Sequence, residues 1–204
     1  MARDDREHWE AKYHAGREPE SPPAPFLVEH AHLLPIGRTL DVAAGSGRHA
    51  RFLAGLGHRV VAVDVSFAAL AGLRASRPRL ACVQMDLDAP GIRAGSCDVV
   101  VVVSFLDRRL FDPVVTWLRP GGVLVWDTFL AEQRGIGHPR NPAYLLERGE
   151  LRARFEPSCE VLALREGLVE EPGGPAFRSG LVARRRIRAH RKRPRRSSAQ
   201  TIVP

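Results

Sequence analysis

Asp41, Gly45, Gly47, Asp64 and Asp86 recur along the first half of the chain in a pattern suited to holding a small polar ligand. The first four lie in TLDVAAGSGRHARFLAGLGHRVVAVDVS, residues 39–66. That stretch alternates an apolar run, a glycine-rich turn, an amphipathic segment and a second apolar run, so it predicts strand, turn, helix and strand. Glycine at 45 and 47 lets the backbone take a φ that side chains resist, and lets amide groups approach a ligand. Gly45-x-Gly47-x-x-Ala50 also satisfies a dinucleotide fingerprint, so the turn by itself leaves the ligand open.

Asp41 separates the possibilities. A dinucleotide sets its anionic pyrophosphate at such a turn, where the helix N-terminus favours negative charge. A fixed carboxylate four residues before Gly45 opposes that, and attracts an ammonium group instead. S-adenosylmethionine has this group beside a sulfonium and carries no phosphate. Asp64, at the end of the second strand, is placed to accept from both hydroxyls of a ribose. Asp86, in Gln84-Met85-Asp86-Leu87 after the third strand, is placed to accept from the exocyclic amine of adenine. An NAD-linked oxidoreductase is the competing reading; it shares Asp64 but has no use for Asp41.

On the acceptor side the candidates are Ser104, Asp127 and His138. Ser104 stands where the chain leaves strand four. Asp127 and Thr128 end strand five, where Asp127 either faces the acceptor or caps the next turn. His138 lies in a glycine-containing loop between Arg134 and Arg140, suited to an anion or to nothing more than an ordinary surface. His49 shares a helical face with Phe52, Leu53 and Leu56 and reads as a core or rim histidine; Arg48 reads as a surface residue of the first turn. No His-Asp or Cys-His arrangement announces a general base, and no zinc spacing is present, so no metal is expected. This favours an acceptor that is already nucleophilic, with the enzyme chiefly aligning it, an effect worth roughly 7–11 kcal/mol at best.

The elements that must position these residues alternate. Residues 4–15 predict a helix with Trp9 and Tyr13 on one face, and Pro19 to Pro25 an extended connector. A short helix spans Phe26 to Leu34. Strands are predicted at Arg38–Ala44, Arg59–Val65, Leu80–Met85, Cys97–Val103 and Val123–Trp126. Ser66 caps one intervening helix, and Asp112-Pro113 opens another with Asp112 as N-cap. That helix stops at Leu118-Arg119-Pro120-Gly121-Gly122. Asn141-Pro142 opens a last helix ending near Phe155. Two strands, Val161–Leu164 and Phe177–Arg184, then pair antiparallel across a turn-rich link. Continuous apolar strands separated by helices predict a parallel sheet covered on both faces.

Composition sets the limits. The 204 residues suit one domain, and a 44% hydrophobic content suffices for its core. The net charge of +8 is local: nine of the 31 basic residues fall between Arg184 and Arg196 with no acidic residue among them, so the others nearly balance the 23 acidic ones. That basic tail is expected to be disordered beyond about Ile187, with nucleic-acid contact through it as the alternative to a solvated end. Cys82, Cys97 and Cys159 read as buried thiols. No apolar run is long enough for a membrane span and the charged N-terminus is unlike a signal peptide, so the cytoplasm is the expected compartment.

DVAAGSGRHARFLA, VVAVDVS, QMDLDAP and LRPGGVLVWDTF resemble, in order and spacing, the successive motifs of class I S-adenosylmethionine-dependent methyltransferases. WEAKY and GELRARF are similar to small bacterial enzymes of the tellurite-resistance type. The likeness implies an α/β, Rossmann-like seven-stranded methyltransferase sheet of order 3-2-1-4-5-7-6, strand seven antiparallel, with helices on both faces. It implies an N-terminal helical lid segment at 1–36, the methyltransferase domain at 37–186 and a basic tail at 187–204. It assigns the cofactor to Asp41, Ala43, Gly45, Gly47, Asp64, Val65, Met85, Asp86, Leu87 and Ser104, with Tyr13 closing from the lid. The implied activity is methyl transfer to a small-molecule acceptor; an RNA or protein acceptor reached through the tail is the alternative. Val169-Glu170-Glu171 stands where tellurite chemistry would call for a His-Arg pair.

Overall fold

A run of β-branched residues from Val99 to Val103 seeds the centre of the sheet, because such side chains pack well on a pleated surface buried on both sides. The computed structural model describes residues 3–14, 21–76 and 80–187. In chain order it contains α1 (Arg3–His14), α2 (Pro25–Glu29), β1 (Arg38–Val42), α3 (Arg48–Gly55), β2 (Arg59–Asp64), α4 (Phe67–Ser76), β3 (Ala81–Gln84), β4 (Cys97–Val103), α5 (Phe111–Trp117), β5 (Leu118–Phe129), α6 (Glu150–Phe155), β6 (Cys159–Glu171) and β7 (Gly174–Arg185). The strands form one sheet in the order β3-β2-β1-β4-β5-β7-β6. β1 to β5 run parallel, and β7 pairs antiparallel with both β5 and β6. This is the expected topology.

Strand alternation sorts the side chains into two layers. Leu40, Val100, Val102, Leu124 and Trp126 face α5 and α6, where Phe111 meets Trp126 edge-on at 5.0 Å. Val99, Val101, Val125 and Val182 face the opposite way and pack with Phe26, Leu53 and Leu73 of α2, α3 and α4. Each of these large side chains contributes ~1.5–3 kcal/mol by leaving water. On that second face the same alternation continues past the apolar layer. Two residues beyond Ala62 stands Asp64, two beyond Val125 stands Asp127, and four before Val182 stands Arg178. Asp41, level with Val101, joins them. A polar layer therefore lies over the carboxyl ends of the strands on one face only.

Several boundaries differ from expectation. Asp112 is the second residue of α5 rather than its cap, because a 3-10 turn at Arg108–Leu110 feeds that helix directly. Asp107 caps the turn, accepting from the Arg109 N–H at 3.0 Å. The segment after Asn141 is not one helix. Asn141 caps a single 3-10 turn, Pro142–Tyr144, Leu146 bridges to Leu130, and α6 starts only at Glu150. The Arg119-Pro-Gly-Gly122 stretch lies inside β5, where the register with β4 jumps from Leu118 to Val123. The β6–β7 hairpin reaches Glu171 and Gly174, so the presumed turn-rich link is mostly strand. Between β3 and β4 the chain forms no helix, so one face of β1–β3 is a groove of about 1130 Å³ lined in part by Leu40, Val61, Val63, Met85 and Ile92. Helices therefore cover both faces, but not completely.

Ser66 does cap α4, its Oγ accepting from the Ala69 N–H at 3.1 Å. The three cysteines are free thiols, Cys97 and Cys159 buried and Cys82 partly so. The basic tail beyond residue 187, the last residue of the expected helix over 4–15, and residues 19–20 of the proline connector lie outside the described residues. Among the described residues, no helix is long and apolar enough to cross a membrane.

Candidate functional site

The glycine turn between β1 and α3 is built by backbone conformations that side chains resist. Gly45 has φ +52 and Gly47 φ +80. A side chain at Gly45 would collide with the Tyr13 hydroxyl, and one at Gly47 with Leu73. The turn is closed by Gly47 N–H donating to the Ala44 carbonyl at 2.9 Å, and α3 starts at the next residue. Ala43, just before it, also has positive φ, at 53°. An L-residue there is strained, whereas glycine is not. Ala43→Gly is therefore expected to stabilise the protein by ~0.5–1 kcal/mol, raising the melting temperature by ~2 °C for a chain of this size. A fall on calorimetry would show that the strain is compensated.

Asp64 fastens the turn to the end of β2. Its Oδ2 accepts from the Gly45 N–H at 2.8 Å and its Oδ1 from the Ser66 N–H at 2.9 Å. Burial raises its pKa, opposed by the amides of Ser66, Gly45 and Val65, with Glu10 adding to the rise. Each carboxylate oxygen keeps a second lone pair for a further donor. Asp41 differs. It is buried, and neither of its oxygens has a hydrogen-bond partner among the described residues. Burial pushes its pKa up to about 7; the Ala50 N–H, near it but outside hydrogen-bonding geometry, pulls it down, Asp64 pushes it up, and Arg48 pulls it down.

Val65, Met85 and Asp86 meet beyond the ends of β2 and β3, where with Gln84 they line a cavity of about 200 Å³. The Met85 N–H donates to the Asp64 carbonyl at 2.9 Å, and Gln84 Nε2 to the Val65 carbonyl at 3.0 Å. Asp86 is exposed and accepts from the Asp88 N–H at 2.9 Å. Leu87 departs from expectation: its side chain is buried in the core with Leu40 and Val63, so only its main chain can touch a ligand. α1 packs on α4 above this region. Tyr13 stacks on Trp9 at 6.2 Å, and both carboxylate oxygens of Glu10 accept from the Ala68 N–H near the start of α4.

The ends of β4, β5 and β7 form a second, charged cluster. Asp127 is wholly buried and caps no turn; it pairs with Arg178, which donates to its Oδ2 from Nη2 at 2.9 Å and from Nε at 3.2 Å. Arg178 Nη2 also donates to the Asp127 carbonyl at 3.2 Å and to Ser104 Oγ at 3.1 Å. Its Nε lies 3.3 Å from Glu171, and its Cζ 4.5 Å from the centre of the Phe129 ring. Arg165 approaches Asp127 Oδ1 at 3.6 Å and lies over Phe26. Ser104 is exposed, with φ at +56°, and its N–H donates to the Asp127 carbonyl at 2.8 Å.

His49, on α3, is buried; burial first, then Arg48 and Arg178, lower its pKa to about 3, so the ring is neutral. Its Nε2 has no hydrogen-bond partner among the described residues, so it is a core histidine without the bond on that atom that would fix its tautomer. Arg48 is half-buried and reaches the Pro22 carbonyl at 3.5 Å. His138 is not drawn into the cluster. Its side chain is exposed and makes no hydrogen bond among the described residues, while its carbonyl accepts from Gln133, which also holds the Phe177 N–H.

Arg178, Arg165, Glu171 and Glu10 escaped the sequence reading. Arg178 left one trace: in FRSGLVA it shares the strand face of Val182, so a charge falls at an inward position. Arg165 left none, because only the pairing of Arg165 with Gly180 brings it beside Asp127.

Comparison with known proteins agrees with this geometry. The model of a family described as a methyltransferase domain matches residues 40–126. A search of curated protein sequences returns no match. Among solved structures, a SAM-dependent methyltransferase from Methanosarcina mazei is similar over 82% of this chain and 100% of its own, at 17% identity and a TM-score of 0.66. The 1,6-didemethyltoxoflavin-N1-methyltransferase of Burkholderia thailandensis, bound to its substrate and S-adenosylhomocysteine, is similar over 89% of this chain and 87% of its own, at 22% identity and a TM-score of 0.67. TehB from Haemophilus influenzae is similar over 78% of this chain and 61% of its own, at 19% identity and a TM-score of 0.67.

Proposed function

We propose that the chain is a class I S-adenosylmethionine-dependent methyltransferase, a reading supported by the match of residues 40–126 to the methyltransferase-domain model, and that it methylates a small molecule held at the ends of β4, β5 and β7. The observation that carries this is the pair of buried clusters on one sheet face. The first, Asp41 with the Asp64-fastened glycine turn, has the chemistry of a cofactor cradle. Its unpartnered buried carboxylate suits an ammonium group, and the Gly45 turn admits a ligand where a side chain would fill the space.

In this reading Asp64 accepts from the ribose hydroxyls with its remaining lone pairs. Val65, Met85 and Asp86 border the adenine, with the Leu87 main chain beside them. Gly45, Gly47 and Ala43 expose backbone amides to the carboxylate end, and Tyr13 covers it. When bound, S-adenosylmethionine would supply a methyl carbon open to in-line attack, with the neutral thioether S-adenosylhomocysteine as the leaving group. The chain's contribution is to orient both partners and exclude water. His49, neutral and with a depressed pKa, is a poor proton acceptor, which suits an acceptor needing no general base.

The small-molecule reading draws support from the second cluster. Arg178 and Asp127 are buried in it and Ser104 is its one exposed hydroxyl among these three side chains. The Burkholderia thailandensis neighbour holds a small heterocycle in a related fold.

The test has two parts. Isothermal titration with S-adenosylhomocysteine is expected to give a measurable Kd, and titration with NADH none. Isotopically methyl-labelled donor, incubated with a protein-free small-molecule extract, is expected to yield a labelled product by mass spectrometry. Label appearing only in RNA or protein would overturn the acceptor class. Asp64→Ala is expected to weaken S-adenosylhomocysteine by at least ~1–2 kcal/mol, about tenfold, through loss of the diol's partner and release of Gly45. An unaltered Kd would remove Asp64 from the cradle.

A further inference from the structure

We infer that Arg178 is a positioning residue for Ser104, whose hydroxyl donates to the methyl acceptor, and that this acceptor is neutral and carries a hydrogen-bond-accepting oxygen or nitrogen. This rests on the methyltransferase reading above and adds the substrate class.

Three observations converge. Ser104 is a non-glycine residue with φ at +56° on the tip of β4. A residue held in a sparsely populated conformation persists only where its surroundings impose it, and such positions cluster at functional sites. Here the constraint is visible: the Ser104 N–H is tied to the Asp127 carbonyl at 2.8 Å, and its Oγ accepts from Arg178 Nη2 at 3.1 Å. A serine hydroxyl that accepts from a fixed guanidinium still has its own proton to give. Because Ser104 is exposed, its hydroxyl is free to turn that proton to a ligand at the strand tip.

The charges decide the class of acceptor. Two arginines, Arg178 and Arg165, approach the site, and a tight anion such as an oxyanion would normally be taken by such a pair. Both are answered in charge, although Arg165 Nε and Nη2 are buried without a hydrogen-bond partner among the described residues and so are not offered outward. Asp127 pairs with Arg178 at 2.9 Å and with Arg165 at 3.6 Å, and Glu171 stands 3.3 Å from Arg178. Two cations face two carboxylates, and His49 beside them is neutral. These side chains together leave no net positive charge to hold an anion. What the site offers outward is one hydroxyl proton, and its complement is a carbonyl oxygen, ether oxygen or unprotonated ring nitrogen near the atom to be methylated.

The experiment uses the full chain, methyl-labelled S-adenosylmethionine, and a protein-free small-molecule extract split on an anion-exchange resin. Label is expected in products of the unretained, neutral fraction. Label confined to the retained fraction, or to added inorganic tellurite, overturns the inference. S-adenosylhomocysteine affinity of the wild-type chain is read first, so failure of the methyltransferase reading itself shows as no binding. Ser104→Gly, which suits the positive φ, is expected to slow labelling of the neutral fraction at least tenfold at saturating S-adenosylmethionine. Arg178→Lys retains the charge facing Asp127 but loses the Nη2 hydrogen bond to Ser104 Oγ, and is expected to slow it similarly. The double variant is expected to be no slower than either single one, because both remove the same donated proton. Labelling by Ser104→Gly within twofold of wild type, or multiplied losses in the double variant, overturns the positioning role.

Discussion

At pH 8, Asp41→Asn is expected to raise the melting temperature of the cofactor-free protein and, in the same sample, to weaken its affinity for S-adenosylhomocysteine. Both effects come from one carboxylate. Asp41 is 1% exposed, neither oxygen has a partner among the described residues, and burial lifts its pKa from 3.8 to about 7. Between those two values the folded chain holds a proton that the unfolded chain has released. Stability therefore falls as pH rises through this window and stays low above it. The full loss is about 4 kcal/mol. Asparagine has no proton to lose, although burying its amide without a partner costs ~1–3 kcal/mol. The net gain at pH 8 is thus ~1–3 kcal/mol, or several degrees, and at pH 4, where the carboxyl group stays protonated, it turns into a loss of ~1–2 kcal/mol.

The cofactor reverses the balance. An ammonium group placed against Asp41 favours the ionised form, so binding below pH 7 must expel a proton. Wild-type affinity for S-adenosylhomocysteine is expected to rise from pH 6 to pH 8 by up to ~10-fold and then to level off. The Asp41→Asn variant should lack that limb. Titration calorimetry at pH 6, 7 and 8 and melting curves at pH 4.5 and 8 check the two halves separately. An identical pH dependence of affinity in both proteins would place the ammonium elsewhere. A melting-temperature difference that ignores pH would show that Asp41 is not the group that titrates.

A carboxylate kept at such cost is what made the cradle visible in sequence. Asp41, Gly45, Gly47 and Asp64 are close in the chain, and each marks the end of an element whose apolar pattern is plain, so local rules suffice to place them. The sheet order could be anticipated for the same reason: continuous Val, Ile and Leu runs such as Val99–Val103 announce buried strands, and the motif order supplies the topology. Where reading failed, the deciding interaction was long-range. Asp112-Pro113 has the local form of a helix start, yet Asp107 caps the turn before it, and α5 grows from that turn. Asn141-Pro142 does initiate a turn, but Leu146 leaves it to bridge Leu130, ending the helix after one turn. The acceptor cluster depends on register across three strands, in which Asp127 and Arg165 both stand opposite Gly180. No local pattern encodes that.

The same register makes Arg178 the residue whose loss should cost the fold most. Arg178→Met is expected to destabilise the protein by ~3 kcal/mol, lowering the melting temperature by ~6–12 °C. Its side chain is 2% exposed and that of Asp127 is 0% exposed, so removing the guanidinium leaves a carboxylate in the interior. Breaking one partner of a buried pair ordinarily costs ~3–5 kcal/mol. The lower end applies because Arg165, 3.6 Å from Asp127 Oδ1, still answers part of the charge. Adding Asp127→Asn to Arg178→Met removes the orphaned charge, and most of the lost stability should return, since a pair removed together spares the desolvation of both members. Calorimetry on the two single variants and the double one reads this as a coupling energy. Strictly additive losses would mean that Arg178 stabilises through Phe129 and packing, not through Asp127. A refolded double variant that binds S-adenosylhomocysteine but labels no acceptor would then separate the two tasks of Arg178, holding the strand ends together and holding Ser104 in place.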